Sequence, residues 1–522
     1  MHWDLSGWFP QKKRMTEIGD LTPELRRRLV ANTLKDEDCV VLTAVMDNYA
    51  VLERAVKEKS GKIAKLLKMI FGAKTEKSQK ALPDQPPKPK ETTDKPKGHG
   101  RNGASSYNTR KVTVSHTMLR RGDTCPGCEK GKLYPTPAGI NIRITGNAPL
   151  DACIWEQEKL RCNLCGEVFT AKLPDEAGSK KYDASAGAMI AILKYGSGLP
   201  FNRLEEVQES MGIPLPASTQ WDIVEKAAGP AHPAYKELTR QAAQGKIIHN
   251  DDTTMKILSS VNENKERRGI FTTGILSVAD ERKIAVFFTG HKHAGENITD
   301  LLKERHAGLD PPIQMCDALS RNTSKEFETI LANCMAHARR NFVDIAESFP
   351  DECRHVIEIL GNVYKNDETT QEEKMTSRRR LIYHQSESGP FMDKLHGWMN
   401  IQFHEKKTEP NSGLGKAFSY MLKHWEPLTL FLRVEGAPLD NNLCEQALKK
   451  VILHRKNSMF YKTLHGAYIG DLFMSIIHTC RLSHINPFEY LVALQKHSHE
   501  VFRNPQKWLP WNYKTEVAVL SL

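Results

Sequence analysis

Residues 246–254, KIIHNDDTT, begin a series of short segments rich in Ile, Val, Phe and Thr. Three further segments of this kind are FTTGILSV at 271–278, KIAVFFTG at 283–290 and PPIQMCDA at 311–318. Runs of β-branched and aromatic residues bounded by turn residues predict strands. The close spacing of the first three predicts an antiparallel meander.

Helical segments are predicted around the fourth strand. Residues 295–307 read as a helix before it and 325–332 as a helix after it, followed by a fifth strand within CMAHARR at 334–340. A meander followed by helix, strand, helix and strand is typical of an RNase H-like core. We therefore predict a multidomain α/β protein with an RNase H-like catalytic core and a helical insertion, preceded by an N-terminal coiled-coil helix and a four-cysteine zinc-binding module.

Changes in composition divide the 522 residues into eight regions. They are an N-terminal helical, coiled-coil region at 1–80, a basic Pro/Gly linker at 81–109, a zinc-binding module at 110–178, a helix-turn-helix-like DNA-binding region at 179–240, the first part of the RNase H-like core at 241–343, a helical insertion at 344–432, the C-terminal helices of the core with the catalytic Glu at 433–494, and a C-terminal tail at 495–522.

The charge is unevenly distributed. The net charge is +11, and residues 54–101 alone carry 14 Lys and Arg against 5 Asp and Glu. So dense a basic segment attracts polyanions, and a solvated, flexible arm is the alternative. Because no window is apolar enough for a membrane span and the N-terminus lacks the apolar stretch of a signal peptide, we expect a soluble, cytoplasmic protein with no membrane partner.

Two sets of residues spaced by seven indicate a coiled coil near the N-terminus. They are Leu42, Tyr49, Val56, Ile63 and Ile70, and, three residues later, Val45, Leu52, Lys59, Leu66 and Ala73. A largely apolar stripe sustained in this way faces a partner helix and favours self-association. One amphipathic helix packed on its own domain is the alternative.

Two CxxC knuckles, Cys125–Cys128 and Cys162–Cys165, are separated by 33 residues. Each knuckle places two thiolates on one tight turn, and together they complete the tetrahedral set of four cysteine ligands around a structural Zn²⁺. Metal binding supplies folding free energy that so short a module lacks. We predict one structural zinc, with a β-hairpin over residues 143–161 between the knuckles.

Residues 202–210 and 217–226 read as two helices joined by a turn that contains Gly212 and two prolines. The pattern fits a helix-turn-helix that reads DNA. A plain helical hairpin fits equally well, because the prolines lengthen the turn.

Three acids occupy matching places in the predicted core. Asp251 lies on the first strand, Asp317 ends the fourth, and Glu445 lies on a later helix. Mg²⁺ prefers carboxylate oxygens, and two such ions catalyse phosphoryl transfer on DNA. Asp317 follows Asp251 by 66 residues and Glu445 follows Asp317 by 128, so the 344–432 insertion lies between the last two. Adjacent strand residues face opposite ways, and spacing alone does not choose between Asp251 and Asp252.

Cationic and polar residues near these acids are candidate DNA contacts. The run at 440–442, DNN, is typical of a helix N-cap, and Lys449 lies one turn beyond Glu445. His337 would order water and the following arginines would hold phosphate; a core histidine with two surface cations is the alternative. The candidates are His337, Arg339, Arg340, Lys449, Arg455, Lys456, Asn457 and, in the linker, Arg101.

Several motifs carry a family resemblance. They are FGAKTEKS at 71–78, GHGRNG at 98–103, the paired knuckles, KYGSGLPFNRLEE at 194–206, HNDDTT at 249–254, CMAHARRNF at 334–342, LDNNLCEQALKKVILHRKNSMF at 439–460 and WLPWNY at 508–513. On these motifs the chain resembles the transposases of insertion sequence 66 type elements, which are bacterial DDE transposases.

The resemblance implies that Asp251 is the first catalytic acid, Asp317 the second and Glu445 the third, with two Mg²⁺ or Mn²⁺ ions per active site. It implies terminal-repeat and target DNA as partners, small accessory proteins of the same element, a homodimer or higher oligomer through the coiled coil, and a nucleoid location when DNA is bound. Two positions depart from the family pattern: Ala318-Leu319 stands where Gly-Tyr is usual, and Asp252 stands where Glu is usual.

Three functions remain open at this point. The first is a transposase that cleaves and joins DNA strands. The second is a non-catalytic, zinc-containing DNA-binding regulator that keeps an inactive nuclease fold. The third is an RNase H-like nuclease that cleaves without joining.

Overall fold

The computed structural model describes residues 147–161, 168–259, 269–279 and 282–520, together with isolated positions between residues 28 and 134. The coiled-coil seam from Leu42 to Ala73, the linker at 81–109 with Arg101, and three of the four zinc ligands, Cys125, Cys162 and Cys165, lie outside the described residues. The fourth, Cys128, is described and exposed. Among the described helices, none combines the length and the apolar character needed to cross a membrane.

Strands and helices are numbered here in chain order over the described residues. The strands are β1 Lys159–Arg161, β2 Val168–Thr170, β3 Ile247–Thr254, β4 Phe271–Ala279, β5 Arg282–Gly290, β6 Ile313–Cys316 and β7 Ile330–Asn333. The helices are α1 Ala184–Ala191, α2 Phe201–Ser210, α3 Ala217–Ala242, α4 Ala294–Leu302, α5 Met335–Ile345, α6 Pro350–Glu372, α7 Ser377–Tyr383, α8 Gly389–His404, α9 Gly413–Lys423, α10 Trp425–Leu428, α11 Asn442–Ser458, α12 Leu464–Leu482, α13 Pro487–Lys496, α14 Ser498–Arg503 and α15 Tyr513–Leu520.

One five-stranded mixed sheet organises the protein, in the order β5-β4-β3-β6-β7. β3, β4 and β5 form the predicted antiparallel meander, and β6 and β7 add to it in parallel. Six consecutive residues of β4 are buried. Because successive strand residues point to opposite faces, both faces of the sheet are covered. The prediction of a mixed α/β protein is confirmed.

Helix α12 closes the open edge of the sheet along β5. Three polar residues one turn apart on α12, Asp471, Ser475 and Thr479, accept hydrogen bonds from the backbone N–H groups of Thr289, Phe287 and Ala285 at 2.6, 2.9 and 3.1 Å. Four helical residues and two strand residues both advance about 6 Å along the chain. The match in spacing lets one helix pair the N–H groups that an edge strand leaves free.

The helices α2 and α3 form the hairpin that the sequence predicts, and α3 continues well beyond its predicted end. One face of α3 is buried through residues such as Val224 and Leu238. The exposed side of its first turns carries Asp222, Glu225 and Lys226, so this surface has a net negative charge. A negative surface attracts DNA phosphates less than a cationic one does, and the DNA-reading role of this hairpin stays a prediction.

The predicted position of the fifth strand is wrong. The strand is β7, Ile330–Asn333, and the residues after it form helix α5 instead. The predicted helix at 325–332 is absent from this described segment, where a short 3-10 turn, Ser320–Asn322, precedes β7. ILAN pairs with β6 along its length and buries Ala332 and Asn333, whereas Met, Ala and Arg in the following segment are strong helix formers.

The hairpin predicted between the zinc knuckles is also misplaced. Within the described residues 147–161, only Lys159–Arg161 is a strand, and it pairs with Val168–Thr170 beyond the second knuckle. Residues 147–158 include Pro149 and many polar residues, which are poor strand formers. The β1–β2 pair therefore brackets the second CxxC segment.

The described part of the chain has two hydrophobic cores. The first joins β3, β4 and β5 to helices that come before and after these strands in the chain. Ile248, Phe287 and Leu448 are among its residues. The second joins β6 and β7 to α5 and to the helices of residues 350–428, through residues such as Met315 and Phe418. The segment predicted as an insertion thus packs beneath the last two strands of the sheet.

Candidate active site

Asp251 lies in β3, and Asp317 directly follows β6, the parallel strand beside it. The register pairs Ile247 of β3 with Ile313 of β6, and His249 with Met315. The constant offset of 66 residues puts Asp251 next to Asp317, just beyond the paired residues. Neighbouring strands lie about 4.8 Å apart, so this register brings two of the predicted acids together.

The turn after Asp317 holds its carboxylate in place. Asp317 Oδ1 accepts hydrogen bonds from the backbone N–H of Leu319, at 3.2 Å, and from the side-chain amide of Asn322. Asn322 is 1% exposed. The local turn therefore forms with Ala318 and Leu319 in place of the usual Gly and Tyr.

Glu445 reaches the same place from the first turn of helix α11. The residues just before this helix, Asp440 and Asn441, do more than cap its N-terminus. Asp440 Oδ1 accepts from the backbone N–H of Asn442 at 3.0 Å, but the buried side chain of Asn441 points to β3. Asn441 donates to the carbonyl of Asn250 at 3.0 Å and contacts His249 Nδ1 at 3.1 Å. The start of the Glu445 helix is thereby fixed to the strand of Asp251.

The three acids interact electrostatically. The pKa of Asp251 is raised to about 7, mainly by burial and also by the nearby carboxylates of Asp317, Glu445 and Asp252, against the lowering effect of the hydrogen bond from the Asp252 N–H. Like charges produce this effect only at short range. Asp317 and Glu445 therefore lie near enough to Asp251 for their charges to act on it, and these three acids are called the carboxylate cluster below.

Asp252 belongs to a different environment. Its side chain is 2% exposed and accepts hydrogen bonds from Thr273 Oγ1 at 2.6 Å and from the backbone N–H of Ala294 at 2.9 Å. Ala294 begins helix α4, so the carboxylate lies at a helix N-terminus, where negative charge is favourable. Asp252 thus fastens α4 to the sheet, which leaves Asp251 for the cluster.

His337 and Arg340, on helix α5, both face Glu445. His337 Nδ1 lies 3.6 Å from Glu445 Oε1, and the guanidinium of Arg340 lies 3.9 Å from Glu445 Oε2. Arg339 points elsewhere, into a cavity of about 980 Å³ that Asp440 also lines. The two adjacent arginines thus lie in different surroundings, and Arg340 is the one beside Glu445.

The four candidates on helix α11 also divide. Lys449 and Lys456 are exposed. Arg455 donates to the hydroxyls of Thr253 and Thr254 at 3.0 and 2.8 Å, and Asn457 donates to the carbonyl of Gly198 at 3.0 Å. The last two side chains link α11 to neighbouring elements, whereas the lysines project into solvent.

A buried network of amides, which sequence reasoning missed, underlies the acids. Gln314 Nε2 donates to Asn250 Oδ1 at 3.0 Å and to the carbonyl of Asn322 at 2.8 Å. Asn250 Nδ2 donates to the same carbonyl at 2.8 Å. With Asn441 on Asn250 and Asn322 on Asp317, these bonds connect the backbones that carry all three acids. The signal in the sequence is an amide residue within five positions of each acid.

The cluster fits a divalent cation. Glu445 Oε1 and His337 Nδ1 are buried atoms without a hydrogen-bond partner among the described residues, and an unpaired buried polar atom costs about 1–3 kcal/mol. Carboxylate oxygens are the preferred ligands of Mg²⁺, and Mn²⁺ accepts them as well. Among the described residues, Glu445, His337 and Cys334 form the group whose ligand atoms lie within 4.8 Å of one another, so the residues around the unpaired oxygen of Glu445 fit such an ion.

Comparison with known proteins gives one family and several relatives. The family described as "Transposase IS66 family" matches residues 180–469. Uncharacterized protein y4hP of Sinorhizobium fredii (strain NBRC 101917 / NGR234) is 28% identical over 391 residues, which cover 69% of this chain and 68% of the relative. Uncharacterized protein y4jD of the same organism is 30% identical over 342 residues, 63% of this chain and 66% of the relative.

Proposed function

Since the chain belongs to the IS66 transposase family by the match over residues 180–469, we propose that it is a DDE transposase that cleaves and joins DNA strands. Asp251, Asp317 and Glu445 are its catalytic acids. The observation that supports this proposal is that the β3–β6 register puts Asp251 beside Asp317 and that the charges of Asp317 and Glu445 raise the pKa of Asp251. The strand order of the sheet supports an RNase H-like core.

In this proposal the three carboxylates would hold two Mg²⁺ or Mn²⁺ ions, which when bound would supply activation of the attacking oxygen and stabilisation of the leaving one. In the first step a water oxygen bonds to phosphorus at the element end and the P–O3′ bond breaks. The element strand keeps a 3′-hydroxyl, and the proton of the water passes to solvent. In the second step that hydroxyl attacks a phosphorus of target DNA, and the target P–O3′ bond breaks. The joining step conserves the number of phosphodiester bonds and needs no external energy source.

The remaining candidates are assigned to DNA. Arg340 lies beside Glu445 and Lys449 and Lys456 are exposed on the helix of Glu445, so we assign these three cations to the phosphates near the scissile bond. The zinc module and the basic linker bind the terminal repeats, and the coiled coil pairs two protomers and two ends. The β1–β2 strand pair around the second knuckle supports a zinc-ribbon-like module with one structural Zn²⁺.

The two alternatives from the sequence make different demands on the cluster. A regulator without catalysis does not need the acids to be kept together, so the buried amide network beneath them favours an enzyme. A nuclease without joining would use the same acids. It is distinguished by the fate of precut ends, because only a transposase converts them into joined product.

The test uses the purified full-length protein with DNA ends cloned from the sequences on either side of its gene. Asp251→Asn should leave end binding in a gel-shift assay unchanged and reduce Mg²⁺- or Mn²⁺-dependent strand cleavage at least about a thousandfold. The matched control is Asp351→Asn, whose side chain is 89% exposed on α6 and which should cleave as the wild type does. Cleavage by Asp251→Asn at the wild-type rate would contradict the assignment, and precut ends that stay unjoined would select the nuclease.

A further inference from the structure

Two orphaned ligand atoms face each other beside the carboxylate cluster. His337 Nδ1 and Glu445 Oε1 are 3.6 Å apart. This separation is too long for a hydrogen bond, and neither atom has another hydrogen-bond partner within the described part of the chain. Buried polar atoms in native proteins are nearly always paired. The two atoms are therefore suited to a metal ion, which accepts a lone pair from the nitrogen and another from the oxygen.

The spacing suits one metal ion. A divalent cation with bonds of about 2.1 Å keeps two neighbouring ligand atoms about 3–4 Å apart, depending on the angle between them. The separation of 3.6 Å between His337 Nδ1 and Glu445 Oε1 lies inside that range. The other oxygen of Glu445 faces Arg340 at 3.9 Å, so the carboxylate is oriented with Oε1 toward the histidine.

Cys334 is the third neighbour, and in this inference it bounds the site without acting as a ligand. Its sulfur lies within 4.8 Å of the ligand atoms of His337 and Glu445. It is fully buried and accepts the backbone N–H of Asn441 at 3.2 Å. This backbone hydrogen bond already occupies the sulfur, so we assign the metal to the nitrogen and the oxygen, which have no such partner. The same hydrogen bond fixes the starts of α5 and α11 relative to each other, and with them His337 and Glu445.

We propose that His337 is a direct metal ligand through Nδ1, sharing one of the two divalent cations with Glu445. The inference rests on the proposed function and adds a nitrogen to a site that the three acids alone would make entirely of oxygen. Imidazole suits transition metals, whereas Mg²⁺ keeps to oxygen ligands. The protein should consequently bind Mn²⁺ more tightly than Mg²⁺ at this position.

The test is pulsed electron paramagnetic resonance of Mn²⁺ added to the full-length protein without a polyhistidine tag. A directly bound imidazole couples its ¹⁴N nucleus to the Mn²⁺ electron spin, and the coupling appears as a modulation of the echo. We expect this modulation in the wild type and its loss in His337→Asn, with Mn²⁺ affinity at least about tenfold weaker. His499→Asn, which changes an exposed histidine on α14, is the matched control and should retain the modulation.

A second measurement needs no variant at the site. Wild-type protein grown with ¹⁵N-histidine should exchange the ¹⁴N modulation for a ¹⁵N coupling. Mn²⁺ that binds in an Asp251-dependent manner without any histidine coupling, or with a coupling that His337→Asn leaves intact, overturns the inference and leaves the proposed function standing. Mn²⁺ binding that Asp251→Asn does not weaken overturns both.

Discussion

The side-chain amide of Asn441 donates a 3.0 Å hydrogen bond to the backbone carbonyl of Asn250. These two residues are 191 positions apart in the chain, and each adjoins an element that carries one of the three acids. The bond is buried, so no water competes for either group. It fixes the distance between Asp251 on the strand and Glu445 on the helix.

Asn441→Ala should therefore weaken both stability and cleavage. The change leaves the carbonyl of Asn250 and the ring of His249 with one partner fewer in a buried site, which predicts a loss of about 1–3 kcal/mol in the free energy of unfolding. Denaturant titration measures this loss. Asn442→Ala is the control, because its side chain is exposed and bonds only to Asp440; equal losses from both variants would refute the role of the buried amide.

Asn322→Ala should weaken metal binding more than stability. The variant removes the amide that holds Asp317 Oδ1 while the backbone turn keeps its own hydrogen bonds. Residues that orient metal ligands typically contribute 10–100-fold in affinity, so we expect Mn²⁺ affinity to fall by about tenfold in isothermal titration calorimetry. Ser320→Ala, at an exposed position of the same turn, should bind Mn²⁺ as the wild type does. An unchanged affinity for Asn322→Ala would show that the carboxylate needs no such support.

The adjacent acids Asp251 and Asp252 should respond to Asn substitution in opposite ways. Asp252→Asn removes a charge from the N-terminus of α4, so it should lower the free energy of unfolding by about 1 kcal/mol and leave Mn²⁺ binding intact. Asp251→Asn should abolish Mn²⁺ binding and stabilise the metal-free protein at pH 8, because burial opposes the charged form of Asp251. Thermal unfolding and calorimetry measure both effects on the same two samples. The assignment is wrong if Asp252→Asn loses Mn²⁺ binding and Asp251→Asn keeps it.

Asp471 should make stability depend on pH. Burial raises the pKa of its carboxyl to about 7 in the folded protein, despite two hydrogen bonds from Thr289. The folded state therefore keeps a proton that the unfolded state has released, and the contribution of Asp471 to stability falls as pH rises from about 4 to about 7. The expected slope is on the order of 1.4 kcal/mol per pH unit.

Asp471→Asn isolates this effect, since Asn can still accept the N–H of Thr289 and cannot ionise. The free energy of unfolding, measured in urea between pH 5 and pH 8, should shift in favour of the variant up to about pH 7 and then stay constant relative to the wild type. Parallel curves for the two proteins would mean that Asp471 is ionised in the folded state throughout.

Cys128→Ser should remove the structural zinc. If the four knuckle cysteines share one ion, loss of a single thiolate weakens a site whose binding also stabilises its module. We expect the zinc content, measured by mass spectrometry of the metal, to fall from one per chain toward zero. Cys153→Ser, a change at an exposed cysteine outside the knuckles, should keep its zinc; an unchanged content in Cys128→Ser would exclude the predicted ligand set.

The elements that local patterns determine were predictable, and the contacts between distant residues were not. β3, β4, β5 and β6 follow from β-branched runs, and the offset between Asp251 and Asp317 is the parallel register itself. The role of Asn441 was hidden, because its partners lie on β3 and a capping residue has the same local signature. The position of β7 was missed because ILAN is too short to show a period, and its strand conformation depends on pairing with β6.

The three proposed catalytic acids draw on both hydrophobic cores. Asp251 and Glu445 project from elements of the first core, whereas Asp317 follows β6, whose Ile313 and Met315 belong to the second. The helices at 350–428 thus pack against β6, the strand that positions Asp317. They do so although they lie between Asp317 and Glu445 in the chain. Shortening this segment to obtain a minimal enzyme would expose the apolar face of β6 and β7 to water. Natural copies of the gene with deletions here should likewise encode inactive proteins.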